Sequence, residues 1–159
     1  MYTIRPARED DFAAMLDVLK TANMHYVPSE EMAELAWQNC FVAERVSDHE
    51  IVGMSGWTMI SGDAAKTTLM AVLPECRGHN VGHMLQTIRM VAAFYSGAKR
   101  MVTNADRPET IDWYKKKFKY KQVGTIPKIH EFGRPDVHEW TTLETNLHEF
   151  MRGENHETD

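Results

Sequence analysis

The chain has 159 residues, 43% of them apolar and 26% charged, with a formal net charge of −5. That length and balance fit one globular domain that buries a core without disulfides or structural metal. There is no basic stripe of the kind nucleic-acid binders carry, no apolar run near the ~20 residues that span a bilayer, and no apolar signal region in the opening Met1-Tyr2-Thr3-Ile4-Arg5. A cytoplasmic protein with no nucleic-acid or membrane partner is expected.

Residues 2–5 read as a strand, closed by Pro6. Over 10–22, Phe12, Met15, Leu16 and Leu19 recur at helical spacing. Ser29 has N-cap chemistry and is followed by Glu30 and Glu31, which predicts a second helix reaching about Asn39. Residues 40–46 and 51–60 are strand-like, with Ser47-Asp48-His49-Glu50 as the hairpin turn between them. Ser61-Gly62-Asp63 makes another turn, and 66–72 is a third strand ending at Leu73-Pro74.

Val81, Met84, Leu85, Ile88, Ala92 and Tyr95 then mark the clearest helix, with Gly97 placed as its C-terminal cap. Residues 100–103 form a strand. Asp106-Arg107-Pro108-Glu109 has capping-box logic and opens a helix with Ile111, Tyr114 and Phe118 on one face. Residues 122–132 and 137–147 look like two final strands, and the polar stretch 152–159 is expected to fray as a tail behind a domain of 1–151. The order β-α-α-β-β-β-α-β-α-β-β describes a mixed sheet with helices on its faces. Cys40 and Cys76 are far apart and lack CxxC spacing, so neither a disulfide framework nor a metal site is expected. Trp37, Trp57, Trp113 and Trp140 read mainly as core residues.

The chemistry lies between Thr67 and His83. A strand ends there, a turn with Gly78 follows, and an amphipathic helix opens through Gly82. Successive amides at such a helix start form an anion pocket suited to a pyrophosphate. Glycines at the turn let a ligand approach the backbone. Neither a Walker Gly-Lys-Ser/Thr nor a GxGxxG fingerprint is present.

The stretch resembles the cofactor motif of the GNAT acetyltransferase superfamily, Gln/Arg-x-x-Gly-x-Gly/Ala. Arg77, Val81 and Gly82 match it, and Asn80 stands at the first Gly, where its tolerance of positive φ keeps the turn possible. The preceding Val72-Leu73-Pro74-Glu75-Cys76-Arg77-Gly78 is similar to the superfamily's wording. Ile4-Arg5-Pro6-Ala7 with Asp10-Asp11-Phe12 resembles its first strand and helix, and Thr110-Ile111-Asp112-Trp113-Tyr114 its fourth helix. After Tyr114 the usual Gly-Phe is displaced by one residue, to Lys119-Tyr120, and Arg107 replaces an Asn.

The resemblance implies a mixed α/β fold: a twisted, mostly antiparallel sheet of about six or seven strands with about four flanking helices. It implies acetyl-CoA as acyl donor, no metal, and direct attack by the amine of a small-molecule or peptide acceptor. Met70, Ala71, Val72, Arg77, Gly78, His79, Asn80, Val81, Gly82, His83 and Asn104 are the expected donor-binding residues, and Tyr114 the acid that protonates the leaving thiolate. Family members often place a carboxylate base near the position of Lys66 or Thr67. Neither residue serves as such a base, so a water chain or a base from elsewhere in the chain is expected, with His130 and Glu131 as candidates. A non-catalytic acyl-CoA sensor on the same fold is the alternative. The late strands offer an edge for a homodimer.

Overall fold

The computed structural model describes residues 1–22, 35–129 and 133–157. It divides into two compact units, Met1–Thr58 with Thr68–Met90, and Met59–Thr67 with Val91–Asp159.

The first unit is built on β1 (Tyr2–Pro6), β2 (Cys40–Arg45), β3 (Ile51–Met59) and the later part of β4 (Ala64–Val72). β1 runs antiparallel to β2 from Tyr2↔Arg45 to Pro6↔Phe41, and β2 antiparallel to β3 from Cys40↔Gly56. Val42, Ala43, Val52 and Met54 are fully buried, as expected of strands whose apolar residues face a core. In the hairpin the Arg45 amide donates to the Glu50 carbonyl, and His49 takes a left-handed φ of 62°. Val46, expected in the strand, belongs to this turn.

The helix α1 (Phe12–Thr21) buries Met15, Val18 and Leu19. Phe12 and Leu16 are only half-buried, so its inward face is turned slightly from the expected stripe. The second expected helix lies mostly outside the described residues. Its described end, Trp37–Asn39, is a single 3-10 turn. The helix α2 (Val81–Tyr95) begins in this unit and packs on β3 at Gly53, where a Cβ would stand 3.0 Å from Leu85 and 3.3 Å from the Ala71 carbonyl. Its buried residues include two polar ones, Gln86 and Arg89, while Tyr95 is exposed. Arg89 is accommodated because its Nε donates to Gln86 Oε1 at 2.6 Å and its Nη1 to the Gly56 carbonyl at 3.1 Å.

Ahead of α1, the Arg5 guanidinium grips both Asp11 oxygens, at 2.7 and 3.0 Å, and donates to Glu44 at 3.0 Å. The Arg8 amide also donates to Asp11, at 2.7 Å. The Arg5 hydrogen bonds hold the Asp11 carboxyl below its ordinary range. Asp11→Asn is expected to cost about 1.5–3 kcal/mol, the range for hydrogen bonds to charged groups. The folded value lies below the unfolded one of ~3.9. The contribution is therefore complete above that value and drains away as pH falls through the lowered one. Urea melts at pH 7 and pH 3 check this: the gap between wild type and variant should narrow at the lower pH.

The second unit holds the start of β4 with β5 (Arg100–Ala105), α3 (Pro108–Phe118), β6 (Lys121–Pro127), β7 (Glu139–Asn146) and α4 (Leu147–Glu157). β4 pairs in parallel with β5 from Ala64↔Arg100 to Lys66↔Val102. β7 is antiparallel to both β5 and β6. With β4 common to both units, the strands form a seven-stranded, mostly antiparallel sheet in the order β1-β2-β3-β4-β5-β7-β6. Among the described residues, seven strands and four α-helices agree with the fold class expected from the resemblance.

Gly97 caps α2 with φ 103°, as read from the sequence. The last strands are shorter than expected, ending at Pro127 and starting at Glu139. The expected frayed tail is instead helical through Glu157. Asn146 Oδ1 accepts the Glu149 amide at 3.0 Å, a cap bond, and Leu147 and Phe150 are buried. Periodicity over 152–159 could not reveal a helix whose cap and anchors precede that stretch.

At the end of α3, Lys119 adopts φ 57° and its amide, like that of Tyr120, donates to the Tyr114 carbonyl. Lys119 thus fills the left-handed capping position that glycine fills most cheaply. Lys119→Gly should raise stability by about 1 kcal/mol, seen as a rise in Tm of roughly 2–4 °C.

Candidate functional site

The first unit brings most of the expected donor-binding residues onto one strand, turn and helix start. Met70, Ala71 and Val72 end β4, and the Leu73 amide continues the pairing by donating to the Val52 carbonyl at 2.8 Å. Pro74–Cys76 form one 3-10 turn, closed by Cys76 and Arg77 amides on the Leu73 and Pro74 carbonyls. The chain then reverses through Gly78 at φ 84° and Asn80 at φ 66°. Asn80 therefore does adopt the left-handed conformation that its place at the motif's first glycine requires.

The first regular helical bond of α2 runs from the Met84 amide to the Asn80 carbonyl at 3.1 Å. The amides of Val81, Gly82 and His83 come ahead of that ladder, at the positive end of the helix dipole. Arg77, Gly78, His79 and Asn80 are exposed, Gly82 and His83 half-buried, and Val81 is buried. A Cβ built on Gly78 or on Gly82 meets nothing within 4 Å. Among the described residues nothing crowds either glycine, and this is the clearance a diphosphate uses.

His79 stacks at a tilt on Tyr2, ring centroids 6.0 Å apart. Cys76 is 1% exposed, with Arg45 Nη1 at 3.8 Å from its sulfur. A hydrogen bond with Cys76, together with burial, pushes the Tyr2 phenol above its ordinary range. The thiol is enclosed by these neighbours, which fits a bystander under the turn rather than an acyl carrier.

Asn104 and Tyr114 belong to the second unit. Asn104 is half-buried on β5, and its Oδ1 accepts the Thr142 hydroxyl from the paired position on β7 at 2.7 Å. Tyr114 is 5% exposed on α3. Its ring meets Tyr120 and Trp113 edge-on, with centroids 5.0 and 5.1 Å away. The displaced Lys119-Tyr120 pair thus keeps both physical roles, a left-handed cap and a buried aromatic next to Tyr114. Thr67 is buried, and its hydroxyl bonds that of Thr103, so it offers no base. His130 and Glu131 lie outside the described residues.

Asp106 departs from its expected role. Arg107 is the N-cap of α3 and makes no side-chain cap bond. Asp106 Oδ2 instead accepts from Lys128 Nζ at 2.9 Å and from the Arg134 amide. Lys128 Nζ also stands 4.5 Å over the Trp140 ring. Gly133 has φ 72° and passes so close to Asp106 that a Cβ would collide with the carboxylate. This knot ties the connection after β6 to the end of β5, and only Gly133 hinted at it in the sequence. Among the described residues no group of His, Cys, Asp or Glu could hold a metal, and no helix is long and apolar enough to cross a membrane.

Residues 36–120 match the family model of the acetyltransferase (GNAT) domain. No curated protein matches the sequence. Among solved structures, Ard1 from Thermoplasma volcanium aligns with a TM-score of 0.74 at 17% identity, over 91% of this chain and 97% of that one. The ribosomal-protein-S18-alanine N-acetyltransferase of Escherichia coli gives 0.71 at 15% identity, over 92% and 94%. A Mycobacterium tuberculosis protein solved in complex with CoA gives 0.68 at 16% identity, over 91% and 98%. At these identities the structures establish the fold. The family match covers more than half of the 159 residues and takes in the whole strand–turn–helix segment. The chain belongs to the GNAT acetyltransferase domain family.

Proposed function

We propose that this protein transfers an acetyl group from acetyl-CoA to a primary amine by direct attack in a ternary complex. One observation carries the reading: the β4–α2 turn presents helix-start amides beside two glycines at which an added Cβ meets nothing within 4 Å among the described residues. Neighbouring folds solved with CoA support the same donor.

When bound, acetyl-CoA supplies an activated thioester. The residues 77–83 hold its diphosphate, mainly through backbone amides, with Arg77, His79 and His83 adding side-chain contacts. The end of β4, Met70 to Val72, orients the acyl arm, and a backbone amide near Val72 stabilises charge developing on the carbonyl oxygen. Asn104 contributes to donor binding from β5. The Tyr114 hydroxyl gives its proton to the departing thiolate. The acceptor amine, ordinarily ~10.4 for a lysine-like group, loses its proton to a water chain or to His130 or Glu131 before attack.

The burial of Tyr114 in an aromatic cluster favours a second reading, a non-catalytic acyl-CoA sensor. Two measurements separate the possibilities. Acetyl-CoA at 100 times its Kd should stabilise the fold by about 2.7 kcal/mol, and no thermal shift would rule out both readings. Thiol release with a panel of polyamines, amino sugars, amino acids and peptides should then show turnover. Binding without release for any amine would leave the sensor.

A further inference from the structure

β6 ends the sheet. Its neighbour is β7, and no described strand lies on its other side. All seven of its residues are exposed, with Val123 at 58% and Ile126 at 43%, and Ile129 beyond it at 61%. Such an edge presents unpaired N–H and C=O groups to any extended chain, and proteins usually blunt it. Here the irregularities sit towards the ends, a register shift between Gln122 and Gly124 and a proline at 127. Gly124, Thr125 and Ile126 keep regular pairing with β7, are exposed, and have no described strand on their outer side.

The residues leading into this edge form the densest cationic run in the chain. Lys115, Lys116 and Lys117 close α3, Lys119 is its left-handed cap, and Lys121 opens β6. All five are exposed. None of them joins an ion pair among the described residues. Glu144, opposite Lys121, is taken by Arg100 at 2.6 Å. Lysines in the last turn of α3 complement the helix dipole, but that accounts for neither Lys119 nor Lys121. The run also stands out on a chain whose net charge is −5.

We propose that β6 and this lysine run form a docking edge for an extended acidic segment of a partner protein. The segment adds as a further strand, its backbone pairing with β6 and its carboxylates meeting the lysines. A second copy of this chain fits less well. Residues 121–127 contain no Asp or Glu, so self-pairing in any register leaves the lysines without counter-charge. The inference is independent of the acetyl-transfer reading.

The test uses the full chain with a fluorescently tagged octapeptide of alternating Glu and Val, and a Lys-Val counterpart. Anisotropy should show binding of the acidic peptide alone, weakened by added salt. Lys117→Glu with Lys121→Glu should raise Kd at least tenfold. Hydrogen exchange of amides 121–126 should slow when the peptide is bound. Thr125→Pro, which inserts a ring into the edge, should abolish binding. If that variant does not fold, the exchange and charge-reversal results on folded protein decide. Equal binding of the two peptides, or of a DNA duplex, would overturn the proposal. So would unchanged exchange in β6, or a dimer in sedimentation that protects the same amides without peptide.

Discussion

Gly82→Glu is expected to abolish acetyl-CoA binding and leave the fold at least as stable as before. The two effects have opposite signs, which makes the experiment informative. Gly82 does not have a positive φ, and a Cβ there meets nothing within 4 Å. A side chain therefore fits without strain. Replacing a helical glycine should recover up to about 1 kcal/mol, and an acidic residue in the first turn of α2 complements the dipole. The fold thus has no need of glycine at this position.

A bound diphosphate, by contrast, does not tolerate a long acidic side chain there. A glutamate places bulk in the clearance and negative charge beside the incoming phosphates. Each unit-charge repulsion at ~4 Å costs from about 1 kcal/mol in water to about 4 kcal/mol near a protein surface. Affinity should therefore fall by roughly a hundredfold or more, since each tenfold is about 1.4 kcal/mol. Calorimetry with acetyl-CoA measures the loss, and a melt confirms the fold. Gly82→Ala should retain most of the affinity. Undiminished binding by Gly82→Glu would show that the donor does not approach this turn.

What could be read in advance was local. The strand, turn and helix from β4 into α2 carry their instructions in the residues themselves: Pro74 in a 3-10 turn, Gly78 and Asn80 at positive φ, Gly97 at the cap. The less legible features depend on partners distant in the sequence. Periodicity counts only apolar side chains and so does not place Arg89, which the Gly56 carbonyl and Gln86 hold inside. Asp106 looked like a helix cap, but Lys128 and the Arg134 amide, more than twenty residues on, claim its carboxylate. The slipped register after Tyr114 looked like a defect. Lys119 turned out to accept the left-handed conformation itself, so Tyr120 is still delivered to the Tyr114 ring. For the candidate site, the conformation of the β4–α2 turn was legible, whereas no base could be named. A general base is defined by what it faces, and spacing along a chain does not encode that.

Tyr114→Phe should lower kcat by about a hundredfold while the KM for acetyl-CoA stays near its wild-type value. A positioned general acid contributes at least that factor, equivalent to roughly 2.7 kcal/mol of barrier at ~1.36 kcal/mol per tenfold. The substitution removes one hydroxyl and keeps the ring, so the edge-on contacts with Trp113 and Tyr120 survive. A residue that only packs would show a small loss of stability and unchanged turnover. The neighbouring Tyr120, 2% exposed, provides the control: Tyr120→Phe disturbs the same cluster and should leave kcat alone. The split between kcat and KM also matters, because loss of donor binding would raise KM first. If Tyr114→Phe turns over at the wild-type rate with a full complement of bound donor, the thiolate takes its proton from water, and α3 serves the reaction only as scaffold.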